Sequence, residues 1–267
     1  RSHTVQQPVV MACSRAKYLA FRPAAGHGWR GVSSFPKPAP ALVRSTFPQA
    51  SGQRFSRSGA SGLGRRGFDW GVYLVTDDAY LDDKLVDKLQ AAIAGGCSAI
   101  QLRAKHLNGE EYLRWARLVK PICKQHGVAF IIDDNVSVAL EVDADGVHVG
   151  EDDMAHAEVR RLIGPEKVLG ISTYGRQDLV LAALSPDVDA DYVGSGAVFG
   201  TKTKPKSQAK GLDQLGHMRR WIEEELLHQG RAPGECPVVA IGGITAANAP
   251  ECVEAGAQSL ASVSGLL

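Results

Sequence analysis

Residues 144–173, ADGVHVGEDDMAHAEVRRLIGPEKVLGIST, hold the unit from which the rest of the chain is built. An apolar run at 146–150 stops at Gly150, acids follow at Glu151, Asp152 and Asp153, an amphipathic segment spans 154–163, and a second apolar run at 168–173 ends on Ser172 and Thr173. Outward from this unit, similar runs occur at 72–76, 99–103, 130–133, 192–196, 238–243 and 259–264, and all but the last lead into a helix-like stretch. Strands alternating with helices predict parallel βαβ units, and eight strands close a (β/α)₈ TIM barrel. Barrels of this kind place chemistry at the C-terminal ends of their strands. Charge is dense there: Arg103 with Lys105, Asp133 with Asp134, Asp152 with Asp153, and Thr203 with Lys204.

The expected helices are 82–94, 109–126, 136–142, 154–163, 176–184, 212–228 and one from an N-cap at Thr245 to Gly256. Residues 109–126 place Tyr112, Trp115, Leu118, Val119 and Ile122 on one face at helical spacing. The chain stops three residues after the last strand, so the expected barrel lacks an eighth helix. The outer face of the first and last strands is then expected to expose apolar surface, at about 25 cal/mol per Å², with weakened stability or self-association unless another segment covers it. Nothing further in the sequence bears on a homo-oligomer.

Residues 1–68 differ in kind. They contain no Asp or Glu but eleven cations, from Arg1 to Arg66, among abundant Ser, Ala, Gly and Pro. That composition predicts a disordered organelle transit peptide ahead of a barrel at 69–267. A basic tail also suits nucleic acid, but it has neither aromatic interleaving nor a recognition motif, and no nucleic-acid partner is expected. Met11 opens a more natural targeting segment (MACSRAKYLAF) than Arg1 does, which is the reading expected of an incomplete gene product. Five scattered cysteines without CxxC spacing predict buried thiols rather than a zinc site or disulfide framework. No apolar run is long enough to span a bilayer, and no membrane partner is expected.

Period-two alternation puts Gln101, Arg103 and Lys105 on one side of a strand, facing the barrel mouth. One amide and two cations there suit a polyanionic, hydrogen-bonding substrate; a surface ion-pair cluster is the bland alternative. Asp134 and Asp153 end neighbouring strands, and Mg²⁺ prefers one or two carboxylates with water and phosphate oxygens; the alternative is that Asp152 or Asp153 only caps a helix. Ser172 and Thr173 alone say little. The loop at 199–206 (FGTKTKPK) is basic and hydroxyl-rich, as expected of a lid over anions. Gly242-Gly243 and Val263-Ser264 end the last two strands, where such barrels commonly cradle a phosphate on backbone N–H groups. His148 is placed in an interior layer with no assigned role. Together these features predict two anion sites with Mg²⁺ between them, hence transfer between two phosphorylated small molecules with diphosphate as the leaving group.

Seven stretches carry a resemblance: 73–77 (YLVTD), 95–105 (GGCSAIQLRAK), 131–140 (IIDDNVSVAL), 144–153 (ADGVHVGEDD), 170–173 (GIST), 190–204 (ADYVGSGAVFGTKTK) and 240–248 (AIGGITAAN). In order and spacing they resemble the thiamine-phosphate synthase family, which joins hydroxymethylpyrimidine diphosphate to thiazole phosphate. The resemblance implies that Gln101 contacts the pyrimidine. It implies that Arg103, Lys105, Ser172 and Lys204 hold the diphosphate, that Asp134 and Asp153 bind Mg²⁺, and that Thr201, Thr203, Gly243, Val263 and Ser264 bind the thiazole phosphate. It also implies a dissociative mechanism, without a nucleophilic side chain, and plant-type relatives suggest a plastid rather than a mitochondrion.

Two positions depart from the family pattern. Asp133 stands beside the diphosphate where the family usually has Asn, so a cation or proton must offset its charge. Gly196-Ala197 replaces Gly-Pro. A thiazole tautomerase on the same barrel, which does not need the metal and diphosphate set, and a non-catalytic barrel that binds thiamine precursors are the alternatives.

Overall fold

A computed structural model describes residues 70–201 and 208–266. Eight parallel strands close a barrel in sequence order: β1 Val72–Val75, β2 Ala99–Leu102, β3 Ala129–Asp133, β4 Gly146–Val149, β5 Val168–Ser172, β6 Tyr192–Ala197, β7 Val238–Ile241 and β8 Ser259–Ser262. Closure is a direct ladder between β1 and β8, with Tyr73 opposite Ala261. Strand alternation sorts the apolar residues into two cores. Val72, Leu74, Ile100, Leu102, Phe130 and Ile132 pack outward against the helices. Tyr73, Val75, Ala99, Ile131, Tyr192 and Ala261 fill the barrel itself, with Trp70 beside them.

The helices are α1 Leu85–Ala94, α2 Gly109–His126, α3 Val136–Glu141, α4 His156–Ile163, α5 Gln177–Ala183, α6 Asp213–His228 and α7 Ala249–Glu254. The bounds expected for α2 hold because both ends are chemically marked. Asn108 and Glu111 form a reciprocal capping box, and Gly127 stops the helix at φ 66°. Three helix starts differ from expectation by two residues or more. Residues 82–84 are a turn in which Asp82 accepts from the Lys84 N–H, so α1 begins at Leu85. Asp153 accepts from the Gly150 N–H, closing a turn that delays α4 to His156. Thr245 is not the cap of α7: its N–H donates to Asn248 Oδ1 at 2.7 Å, and Asn248 is the residue that precedes the helix.

The apolar face expected to lie exposed at the closure is buried. Val72, Leu74 and Leu260 are 4, 0 and 9 % exposed, in one cluster with Leu85 and Leu89 of α1, Cys252 of α7 and partly buried Leu266. At the opposite end from the strand C-termini, Arg160 of α4 is buried in a fully bonded socket. It donates to the carbonyls of Val188, Gly164, Lys167 and Asp189 and to the Asp191 carboxylate at 2.8 Å. This socket ties α4 to the segments entering β5 and β6, at the end of the barrel that serves stability rather than catalysis in folds of this kind. Among the described residues no helix is long and apolar enough to cross a membrane.

Candidate active site

A cavity of about 810 Å³ opens at the C-terminal mouth of the barrel. Its wall brings together ten residues singled out from the sequence: Gln101, Arg103, Lys105, Asp133, Asp134, Ser172, Thr201, Gly243, Val263 and Ser264. Asp153 stands at its edge through Gly150, whose N–H it accepts. Thr203 and Lys204 lie outside the described residues.

Each cation is held by carboxylates. Arg103 donates to Asp77 at 2.7 Å, and its Nε lies 3.6 Å from Asp133. Lys105 is bonded to Asp134 and lies 3.5 Å from Asp133. Tyr112 of α2 braces the strand ends beneath them, its hydroxyl lying 2.6 Å from the Leu102 carbonyl and 2.9 Å from that of Asp133. Against its partial burial, Lys105 is pushed up in pKa by Asp133 and Asp134, so its charge is secure.

Asp133 is only 7 % exposed, and its Oδ2 accepts no hydrogen bond among the described residues. Burial and the neighbouring Asp134 push its pKa up to about 7, against the pull of Lys105 and Arg103. Arg103 and Lys105 thus lie where they can offset a charge on this residue.

Asp134 sits at φ 59°, a left-handed conformation that costs a non-glycine residue on the order of 1–3 kcal/mol and tends to mark functional sites. Its carboxyl hydrogen-bonds that of Asp153. Burial and this contact raise Asp134, while Asp153, despite its own burial, is lowered by Asp134 and the Gly150 N–H. Two acids close enough to share a proton can instead share a divalent cation. Among the described residues no three His, Cys, Asp or Glu side chains cluster to hold a metal unaided. A two-carboxylate donor set of this kind fits Mg²⁺, which completes its octahedron with water and ligand phosphate.

Across the mouth, Gly242 and Gly243 take φ 102° and 65°. A Cβ on Gly243 would lie 2.6 Å from the Gly200 carbonyl oxygen, so only glycine lets the β7 loop lie against the loop after β6. Beneath the mouth, His148 joins Ser172 at 2.8 Å and Tyr192 at 2.9 Å, and Gln101 donates to Tyr73 at 3.0 Å. Tyr73, Asp77, Tyr174 and Tyr192 were not among the residues the sequence singled out, and His148 had no assigned role. The period-two alternation of β1, β4 and β6 was the available signal, since it turns Tyr73, His148 and Tyr192 inward.

A closed parallel barrel with fixed cations, a carboxylate pair and a glycine-lined second loop at its mouth has the form of a (β/α)₈ enzyme with its polar site at the strand C-termini. Comparison with known proteins narrows the class. The family described as thiamine monophosphate synthase matches residues 72–266, and the chain belongs to that family. Thiamine-phosphate synthase of Bordetella avium is 43% identical over 201 residues, 74% of this chain and 88% of that protein. The chloroplastic thiamine biosynthetic bifunctional enzyme TH1 of Arabidopsis thaliana is 40% identical over 195 residues, which are 72% of this chain and 34% of that protein. Among solved structures, thiamine phosphate pyrophosphorylase from Pyrococcus furiosus superposes with a TM-score of 0.61 at 31% identity, covering 73% of this chain and 86% of that one.

Proposed function

We propose that the chain condenses 4-amino-5-hydroxymethyl-2-methylpyrimidine diphosphate with 4-methyl-5-(2-phosphooxyethyl)thiazole, giving thiamine phosphate and diphosphate. The observation that carries this reading is the convergence of Arg103, Lys105 and Asp134 in one cavity with the Gly243 loop, with Asp153 beside Asp134 at its edge. In this reading Arg103, Lys105 and Ser172 bind the diphosphate, with Lys204 joining them from beyond the described residues. Gln101 orients the pyrimidine. Thr201, Gly243, Val263 and Ser264, with Thr203, bind the thiazole phosphate.

The bond from the pyrimidine methylene to diphosphate oxygen breaks, and its electron pair leaves with the diphosphate. The thiazole nitrogen lone pair then forms the new carbon–nitrogen bond. No proton needs to move, so neither a nucleophilic side chain nor a general base is required. The protein's work is to stabilise the charge that builds on the leaving group. Asp134 and Asp153 would hold Mg²⁺, which would supply further charge neutralisation at the diphosphate. A tautomerase reading leaves the Lys105, Asp134 and Asp153 arrangement without a purpose.

Residues 1–68 serve as a plastid transit peptide in this reading, ahead of the barrel domain at 69–267. Their composition supports it, as does the chloroplastic relative. Fusion of residues 1–68 to a fluorescent protein is expected to direct import and cleavage by isolated chloroplasts; retention outside them would overturn the assignment. The enzymatic test follows diphosphate release from the chain supplied with both substrates and Mg²⁺. Release that requires all three is expected, and none from folded protein would overturn the proposal.

A further inference from the structure

A continuous line of hydrogen bonds crosses the barrel interior beneath the mouth. Ser172 Oγ lies 2.8 Å from His148 Nε2, and His148 Nδ1 lies 2.9 Å from the Tyr192 hydroxyl. The two tyrosine hydroxyls are 2.8 Å apart, and Gln101 Nε2 donates to Tyr73 at 3.0 Å. The fold is built around this line. A Cβ at Gly170 would lie 2.0 Å from Tyr192 Cζ, so only glycine leaves the ring its place. Trp70 packs against the same ring, centroids 4.8 Å apart. Burial pushes both tyrosine hydroxyls well above their ordinary range, so each keeps its single proton.

Counting protons gives the line a direction. The Gln101 amide N–H donates to the Tyr73 oxygen. Tyr73 then spends its own proton on Tyr192, and Tyr192 spends its proton on His148 Nδ1. A ring nitrogen that accepts cannot also carry a proton, so the imidazole proton sits on Nε2 and is donated to Ser172 Oγ. The hydroxyl proton of Ser172 is left for Tyr174, its other neighbour, or for an anion in the cavity. At the far end, Gln101 keeps Oε1 for an N–H of a ligand. Turning the Gln101 amide over reverses every donor. Ser172 would then offer lone pairs to the cavity, which repel an anion, and Gln101 would offer an NH₂ group.

We propose that this line is a relay coupling the two ends of one substrate: His148, Tyr192 and Tyr73 are positioning residues that make Ser172 a donor to diphosphate when Gln101 presents its oxygen to the pyrimidine amino group. The substrate class it selects is a heterocycle with an N–H donor joined to a polyanion. The inference rests on the synthase reading for the chemistry of those two ends.

The test is nitrogen-15 NMR of the histidine-labelled full chain with and without inorganic diphosphate and Mg²⁺, assigning His148 by its loss in His148→Gln. With diphosphate bound, Nε2 is expected to carry the proton and Nδ1 to be bare. Tyr192→Phe keeps the ring and removes one link. It is expected to lose the single tautomer, weaken inorganic diphosphate binding about tenfold, and raise KM for the pyrimidine diphosphate but not for the thiazole phosphate. Tyr73→Phe, one link further from the anion, is expected to act in the same direction. A His148 protonated on Nδ1 or on both nitrogens in the bound state overturns the relay. So does unchanged diphosphate affinity in Tyr192→Phe, or an equal loss for both phosphorylated substrates, which marks a purely structural role. A wild-type chain with the expected tautomer and diphosphate affinity but no turnover would sink the synthase reading and support the relay.

Discussion

The ammonium of Lys105 lies 3.5 Å from the carboxylate of Asp133, a buried acid in the wall of the same cavity. Burial and Asp134 weaken the charge on Asp133, and Lys105 and Arg103 offset what remains. The cations that would meet a diphosphate are therefore partly engaged before it arrives.

Asp133→Asn keeps the shape and removes that competition. Inorganic diphosphate is expected to bind about five- to tenfold more tightly, as for loss of a like charge at a partly screened distance. Isothermal titration checks this, and unchanged affinity would show that the cations are not limited by Asp133.

Asp134→Gly is chosen because the residue occupies a left-handed conformation. It relieves the backbone and deletes one carboxylate of the pair. Diphosphate binding is expected to persist while its Mg²⁺-dependent increment disappears. A metal dependence identical to wild type would remove Asp134 from the metal site.

The helix α2 that braces the strand ends depends on its first turn. Asn108→Ala removes the side-chain arm of the capping box, the acceptor of the Glu111 N–H, and is expected to cost about 1 kcal/mol of stability. Urea denaturation with an unchanged midpoint would show that the cap contributes nothing.

Arg160→Ala takes the cation from the buried Asp191 carboxylate, which keeps the Leu169 N–H, and removes one donor from each of four carbonyls. A loss of roughly 3–5 kcal/mol is expected for such a broken buried pair, with no change in the mouth's chemistry. Thermal unfolding checks the first part and diphosphate titration the second; a loss near zero would mean the socket collapses harmlessly or admits water.

Burial raises the thiols of Cys97, Cys123 and Cys236 to about 11, 12 and 12 from an ordinary value near 9. Their folded-state pKa exceeds the unfolded one, so above pH 9 the unfolded chain releases protons that the folded chain retains. Stability is expected to be level below pH 8 and to fall as pH rises from 9 toward 12. Serine at these three positions should flatten that slope, and a slope unchanged in the triple variant would assign the alkaline loss to other groups.

Much of the barrel was legible because its elements are marked locally. Apolar runs ending on glycine or charge delimited the strands, and α2 had a cap at each end. Misplaced helix starts had a shared cause: Asp82, Asp153 and Asn248 accept backbone N–H groups in turns, and an acid or amide before a helix has the same appearance in sequence whether it caps the helix or closes the turn. The buried face at the closure was not legible, since burial of Val72 and Leu260 depends on what packs across them rather than on their own strands.

The site divides along the same line. Alternation on β2 alone places Gln101 and Arg103 on one side, and residue type alone makes Arg103, Lys105, Asp134 and Asp153 charged; the sequence by itself determined the barrel and the kinds of group at its mouth. Only the tertiary structure decided that Asp134 and Asp153 share a hydrogen bond, that Asp133 is buried among cations, and that His148 links Ser172 to Tyr192 and Tyr73. These contacts join strands separated by whole helices, and a proton's place along them depends on distances of about 3 Å, which no local pattern encodes.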